Sequence, residues 1–119
     1  MYIVPRRILV VEDHLDSAEL IAELLRDQGH EVFLAHDATA ALRIADEQRP
    51  CLVLLDIGLP GVDGYEVARR LRAPGVPRRI IALTGYARER DRQLALEAGI
   101  DDHLVKPIDI TRLLALVSA

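Results

Sequence analysis

The chain has 119 residues, half of them apolar, which is enough for one compact core. Its 15 Lys and Arg residues against 19 Asp and Glu residues leave a formal net charge of -4, which argues against a protein held to nucleic acid by phosphate contacts. Aromatic residues are scarce and tryptophan is absent, so a stacking platform for single-stranded nucleic acid is not expected. We therefore expect a single domain over residues 1–119 that makes no direct contact with nucleic acid.

The N-terminal residues lack the long apolar stretch of a signal peptide, and the apolar runs elsewhere are about as long as a strand. The single cysteine, Cys51, excludes an intramolecular disulfide and is expected to be a buried thiol in an apolar run. These features predict a cytoplasmic protein without membrane contact. Residues 1–6 are expected to form an N-terminal extension, with no output domain after the last helix.

Short runs rich in Val, Ile and Leu alternate with longer segments of helical periodicity. The predicted strands are residues 8–11, 31–35, 52–55, 79–83 and 103–105. Such continuous apolar runs are typical of strands covered on both faces.

The first predicted helix carries an apolar stripe at Leu20, Ile21, Leu24 and Leu25, and it ends at Gly29. The other predicted helices cover residues 39–48, 65–71 and 89–98, and a fifth begins after Asp109, a natural N-cap. Alternation of five strands with five helices predicts an α/β fold with a mostly parallel sheet, because right-handed crossovers cover both faces of such a sheet.

Polar residues follow the predicted strands at the edge where ligands bind in open parallel sheets. Glu12 and Asp13 follow the first strand, Asp56 the third, Thr84 the fourth and Lys106 the fifth. Three carboxylates in one place repel one another unless they share protons or bind a cation. The sequence therefore predicts a site that holds a divalent cation at this edge.

Magnesium suits such a site, because it takes one or two protein carboxylates and leaves other positions for water and phosphate. Asp13 and Asp56 would supply direct oxygens, a backbone carbonyl just after Asp56 a third, and Glu12 would act through water. Lys106 and the Thr84 hydroxyl suit the oxygens of a phosphoryl group. Asp56 then takes the position of the nucleophile that forms an acyl phosphate.

Four segments resemble the response regulator receiver domains: LVVED at 9–13, LDIGLPGVDG at 55–64, LTGY at 83–86 and VKP at 105–107. The resemblance covers essentially the whole chain. It implies the flavodoxin-like arrangement of five βα units, with sheet order 2-1-3-4-5.

By that resemblance, Asp56 accepts a phosphoryl group from a histidine kinase or a histidine phosphotransfer domain. Mg²⁺ would be held by Asp13, Asp56 and the Gly58 carbonyl, with Glu12 completing the acidic set. Thr84 and Lys106 would bind the phosphoryl group, and movement of Thr84 would report it. A downstream partner would contact the fourth helix, the fifth strand and the fifth helix. The Lys106–Pro107 bond is often cis in such domains.

Two positions depart from the pattern of the family. Gly85 stands where alanine is usual, and His103 stands where an aromatic switch residue is common. We expect either His103 or Tyr86 to take over the surface report. The four histidines are otherwise expected to be surface or edge residues, because none shows paired ligand spacing on a helix.

Three other interpretations stay open. The chain is a receiver segment of a hybrid histidine kinase phosphorelay, a receiver-shaped interaction module that is not phosphorylated, or a phosphatase with an aspartyl nucleophile. Gly58 argues against the last, since such phosphatases usually carry a second acid two residues after the first. The leading expectation is a signalling switch that catalyses only its own phosphorylation and dephosphorylation, and not a turnover enzyme.

Overall fold

The computed structural model describes residues 4–75, 77–85 and 89–119. The predicted alternation is confirmed, and every predicted range differs from the observed element by at most one residue at either end. The strands are β1 (Arg7–Val11), β2 (Glu31–Ala35), β3 (Leu52–Asp56), β4 (Arg79–Thr84) and β5 (Asp102–Val105). The helices are α1 (Leu15–Asp27), α2 (Ala38–Gln48), α3 (Gly64–Arg72), α4 (Glu89–Glu97) and α5 (Ile110–Ser118).

The strands form one parallel sheet in the order β2-β1-β3-β4-β5, as the resemblance implies. β3 is central, and all its residues are buried. Val11 pairs with Ala35 on one side and with Leu55 on the other, whereas Asp56 pairs with Leu83. This register brings the carboxyl ends of the strands to one edge of the sheet.

Apolar side chains alternate between two cores, one on each face of the sheet. On one face, α1 and α5 contribute Ile21, Leu25, Leu113 and Val117. On the other face, α2, α3 and α4 pack against β-strand residues such as Val53. Because helices cover both faces, strands that are apolar throughout are stable here.

Aspartate N-caps precede three of the helices, in agreement with the preference for aspartate at this position. The side chains of Asp37, Asp63 and Asp109 accept a backbone N–H of the first turn of α2, α3 and α5. Gly29 and Gly99 follow α1 and α4 with φ of +97° and +85°, the left-handed conformation that glycine adopts after a helix, as predicted for Gly29. These ends fix where the loops between strands and helices lie.

Two expectations about burial were wrong. Leu20 is 55% exposed, because the buried stripe of α1 runs through Ala18, Ile21, Ala22 and Leu25, and position 20 lies on the opposite side of the helix.

Cys51 is only partly buried, since it precedes β3 where the chain enters the sheet, and its Sγ lies 3.5 Å from the Arg7 carbonyl oxygen. His30, expected to be a surface or edge residue, lies directly before β2 and is buried. Its Nδ1 accepts the Arg6 backbone N–H at 3.1 Å, which satisfies that nitrogen.

Candidate functional site

The polar residues singled out in the sequence lie together at the carboxyl edge of the sheet. Glu12 directly follows β1, Asp56 is the last residue of β3 and Thr84 the last of β4. Lys106 directly follows β5, and the Lys106–Pro107 bond is cis, as the resemblance implies. All of these residues, with Asp13 and Gly58, border one cleft of about 650 Å³.

The acidic set is compact. One oxygen each from Glu12, Asp13 and Asp56 lies within 4.8 Å of the other two. Glu12 and Asp56 are buried, whereas Asp13 is exposed at the mouth of the cleft. Three hard oxygen donors at such spacing fit a divalent cation, which also offsets their mutual repulsion.

Lys106 supplies the positive charge in this part of the cleft. Its Nζ lies 3.2 Å from Oδ2 of Asp56 and 3.4 Å from Oε2 of Glu12. The lysine side chain is 37% exposed, so its head group bridges two buried carboxylates and solvent. The ammonium is therefore in a position to neutralise a negatively charged group bound beside Asp56.

The loop after β3 holds the other oxygen of Asp56. The Gly58 N–H donates to Oδ1 of Asp56 at 2.8 Å. This loop is fixed from behind by α3, because a Cβ on Gly64 would lie 2.6 Å from the Ile57 carbonyl oxygen. Only glycine allows that approach, so the first residue of α3 packs directly on the backbone next to Asp56.

The carboxylates differ in their affinity for protons. Burial and the hydrogen bond with Asp56 raise the pKa of Glu12 to about 7. Burial also acts to raise the pKa of Asp56, but hydrogen bonds from Glu12, the Gly58 N–H and Lys106 outweigh it and lower that pKa. Glu12 is thus partly protonated near pH 7, whereas Asp56 stays ionised.

The pKa of Lys106 is raised. Burial acts to lower it, but the contacts with Asp56 and Glu12 stabilise the charged form more strongly. Lys106 is therefore an ammonium near neutral pH, which offers a positive charge and hydrogen-bond donors but no lone pair.

Sequence reasoning missed several residues that line the cleft, namely His14, Ser17, Tyr65 and Asp91. They lie at or near the beginning of α1, α3 and α4. Helix starts in a parallel α/β fold lie near the same edge of the sheet as strand ends. The position of these residues at a helix start was therefore the signal from which they could have been predicted.

The expected switch positions are only partly covered by the structure. Thr84 and His103 line a cavity of about 20 Å³ together with Tyr65. Gly85 borders the main cleft, and a Cβ there would meet no atom within 4 Å. Tyr86, the other expected switch residue, lies outside the described residues.

None of the helices in the described part of the chain is long and apolar enough to span a membrane.

A family model described as the response regulator receiver domain matches residues 8–118. An uncharacterized 14.6 kDa protein of Leptolyngbya boryana is 42% identical over 112 residues, which cover 92% of this chain and 86% of that protein. The DNA-binding response regulator MtrA of Mycobacterium tuberculosis is 44% identical over 115 residues, covering 96% of this chain. The match spans only 50% of MtrA, so the chain corresponds to about half of that relative.

Two solved structures share the fold. The chemotaxis protein CheY4 of Vibrio cholerae has a TM-score of 0.90 and 26% identity, covering 96% of this chain and 97% of that one. The receiver domain of the sensor histidine kinase PA1611 of Pseudomonas aeruginosa, solved with a magnesium ion coordinated in the active site cleft, has a TM-score of 0.83 and 38% identity. That match covers 96% of this chain and 95% of the other. The sheet order, the acidic cleft and these matches agree, and the chain belongs to the response regulator receiver domains of two-component systems.

Proposed function

We propose that the chain accepts a phosphoryl group from a phosphohistidine on Asp56, with Mg²⁺, and thereby switches its contacts with a partner. The observation that carries this proposal is the buried, ionised Asp56 carboxylate between two acids and one ammonium. Its Oδ2 lies 3.2 Å from Lys106 Nζ, and its pKa is lowered in spite of burial. A buried carboxylate kept in its charged form is a suitable nucleophile.

The donor set fits Mg²⁺. Asp13 and Asp56 would hold the ion directly together with the Gly58 carbonyl, and Glu12 would act through water. When bound, Mg²⁺ supplies positive charge to the phosphoryl oxygens and offsets repulsion among the carboxylates. The magnesium ion in the cleft of the PA1611 receiver domain supports this choice of metal.

The residues of the chain have separate tasks in the transfer. An oxygen of Asp56 forms a bond to phosphorus while the bond from phosphorus to the donor nitrogen breaks, and that nitrogen keeps the electron pair. Lys106, which now pairs with Asp56 and Glu12, would contact a phosphoryl oxygen. The Thr84 hydroxyl would bind another and carry the change toward His103.

The proposed partners follow from this chemistry. The donor is a histidine kinase or a histidine phosphotransfer domain, and the chain promotes its own phosphorylation and dephosphorylation without turning over a metabolite. A downstream protein would dock on α4, β5 and α5. Leu96 and Val105 support that surface, because these apolar side chains are 72% and 41% exposed.

A second candidate is a receiver segment within a hybrid histidine kinase. The 38% identity to the receiver domain of the sensor histidine kinase PA1611 favours it. A phosphorelay segment would pass its phosphoryl group on to a histidine phosphotransfer domain, whereas a terminal response regulator would hold the group until hydrolysis. Phosphoryl transfer from the loaded chain to a panel of such domains separates the two.

The test of the main proposal is the intact mass after incubation with a small acyl phosphate. With Mg²⁺ the wild type should gain the mass of one phosphoryl group, and with a chelator it should gain none. Asp56→Asn should gain none in either case, whereas Asp46→Asn, at an exposed aspartate of α2, should behave as the wild type. A wild type that gains no mass with Mg²⁺ would instead support the interpretation of the chain as an interaction module that is not phosphorylated.

A further inference from the structure

The peptide group that joins Glu12 to Asp13 has an unusual hydrogen-bond partner. Its carbonyl oxygen, on Glu12, lies 3.1 Å from Nδ1 of His36. A carbonyl oxygen can only accept, so Nδ1 carries the proton and donates it. His36 directly follows β2, the strand next to β1 in the sheet.

The imidazole replaces a missing bond of the sheet. The parallel pairing of β1 with β2 ends at Val11 and Ala35, and the Glu12 N–H still donates to the Ala35 carbonyl at 3.0 Å. The next bond of a parallel ladder would come from the backbone N–H of Asp37 to the Glu12 carbonyl. The Asp37 side chain caps α2, and no backbone N–H of the described residues donates to the Glu12 carbonyl.

The affected peptide group carries Asp13. Among the described residues, no side-chain hydrogen bond or salt bridge holds the Asp13 carboxylate, although one of its oxygens lies within 4.8 Å of ligand oxygens of Glu12 and Asp56. The direction of this exposed side chain therefore depends on its backbone. Because a peptide group is planar, a bond that fixes the Glu12 carbonyl also fixes the nitrogen and Cα of Asp13.

We propose that His36 is a positioning residue for the metal site, which aims Asp13 by donating Nδ1–H to the Glu12 carbonyl. This inference rests on the proposed function, since it assigns His36 to the same site. The side chain touches neither the phosphoryl group nor the metal. It acts as the groups behind metal ligands commonly do, by holding a ligand in the orientation the ion needs.

Isothermal titration calorimetry with Mg²⁺ alone tests this role. His36→Leu removes the donor and should raise the dissociation constant about tenfold. His36→Asn can place an amide N–H where Nδ1–H lies, so it should bind Mg²⁺ close to the wild-type value. Thr39→Ala, at an exposed residue of α2 in the cleft beside His36, serves as the matched control and should bind as the wild type does.

The folded state is checked separately by thermal unfolding, which an exposed histidine should change little. Equal Mg²⁺ affinity in His36→Leu and wild type would overturn the role of His36 and leave the proposed function in place. An Asn variant as weak as the Leu variant would also overturn it, because the donor would then not be what matters. A wild type that binds no Mg²⁺ would overturn both this inference and the proposed function.

Discussion

Nζ of Lys106 lies 3.2 Å from Oδ2 of Asp56, and this lysine is the only one among the 15 Lys and Arg residues of the chain. The other basic positions are all arginine, which is longer, planar and suited to paired hydrogen bonds. An ammonium is a compact point charge that can move from a carboxylate to a phosphoryl oxygen beside it. The use of lysine at this position fits that task.

Lys106→Met should slow phosphorylation by a small acyl phosphate by about a hundredfold, because it removes one charged donor from the developing negative charge. The initial rate of mass gain measures this directly. Lys106→Arg keeps the charge, and its phosphorylation rate should lie between those of Lys106→Met and the wild type. A methionine variant phosphorylated at the wild-type rate would remove Lys106 from the transfer step.

His30 should make stability depend on pH. Burial and the nearby positive charge of Arg6 lower the pKa of His30 below 6.5, so the unfolded state takes up a proton first as the pH falls. The free energy of unfolding contributed by neutral His30 is therefore fully present above pH 6.5 and is lost as the pH falls toward the folded pKa. Urea unfolding between pH 7.5 and pH 5.5 measures this loss.

The titration of Glu12 changes the free energy of unfolding in the opposite direction over part of this pH range. Its folded pKa of about 7 lies above the ordinary 4.5, so its contribution to stability grows as the pH falls from about 7 toward 4.5. The comparison with His30→Asn, which retains a hydrogen-bond acceptor but does not titrate, isolates the histidine. The Asn variant should lose less stability on acidification than the wild type. Identical dependence of stability on pH in the two proteins would refute the assignment of this loss to His30.

Gly64→Ala should destabilise the fold by about 1–3 kcal/mol, because the added methyl forces the Ile57 backbone away from α3. Gly85→Ala is the matched control, since its Cβ would meet no atom within 4 Å, and it should change stability by less than about 0.5 kcal/mol. Chemical unfolding measures both. Equal stability of the two variants would show that the contact between Gly64 and Ile57 is not tight in solution.

His103 should report phosphorylation of Asp56. Its side chain shares a cavity of about 20 Å³ with Thr84, which is too small for the imidazole ring to enter without movement of its neighbours. A shift of Thr84 toward a phosphoryl group should therefore change the NMR signals of the His103 ring, while those of His30 stay constant. Unchanged His103 signals would leave Tyr86 as the expected reporter.

Much of this fold could be predicted from the sequence because its strands are buried on both faces. Apolar runs such as 52–55 are typical of strands in a covered sheet, and the residues that follow parallel strands meet at one edge. Asp56 and Lys106 were found in this way, although they lie 50 positions apart in the sequence.

Features that depend on tertiary contacts could not be predicted. Leu20 fits an apolar stripe as well as Ala18 does, and only packing on the sheet decides which one is buried. His36 has no local signal, because its partner is a carbonyl 24 positions away. The contact of Glu12 with Lys106, which contributes to the balance of pKa values, likewise needs the three-dimensional arrangement.

The identity of the phosphorylated residue is the most direct test of the account. The chain is incubated with Mg²⁺ and a phosphoramidate, a donor with the nitrogen–phosphorus bond of phosphohistidine, and is then treated with borohydride, which reduces an aspartyl phosphate to homoserine. Peptide mass spectrometry should find homoserine at position 56 and unchanged aspartate at positions 13 and 63. Homoserine at another position, or intact aspartate at 56 in a chain that has gained a phosphoryl group, would contradict the account.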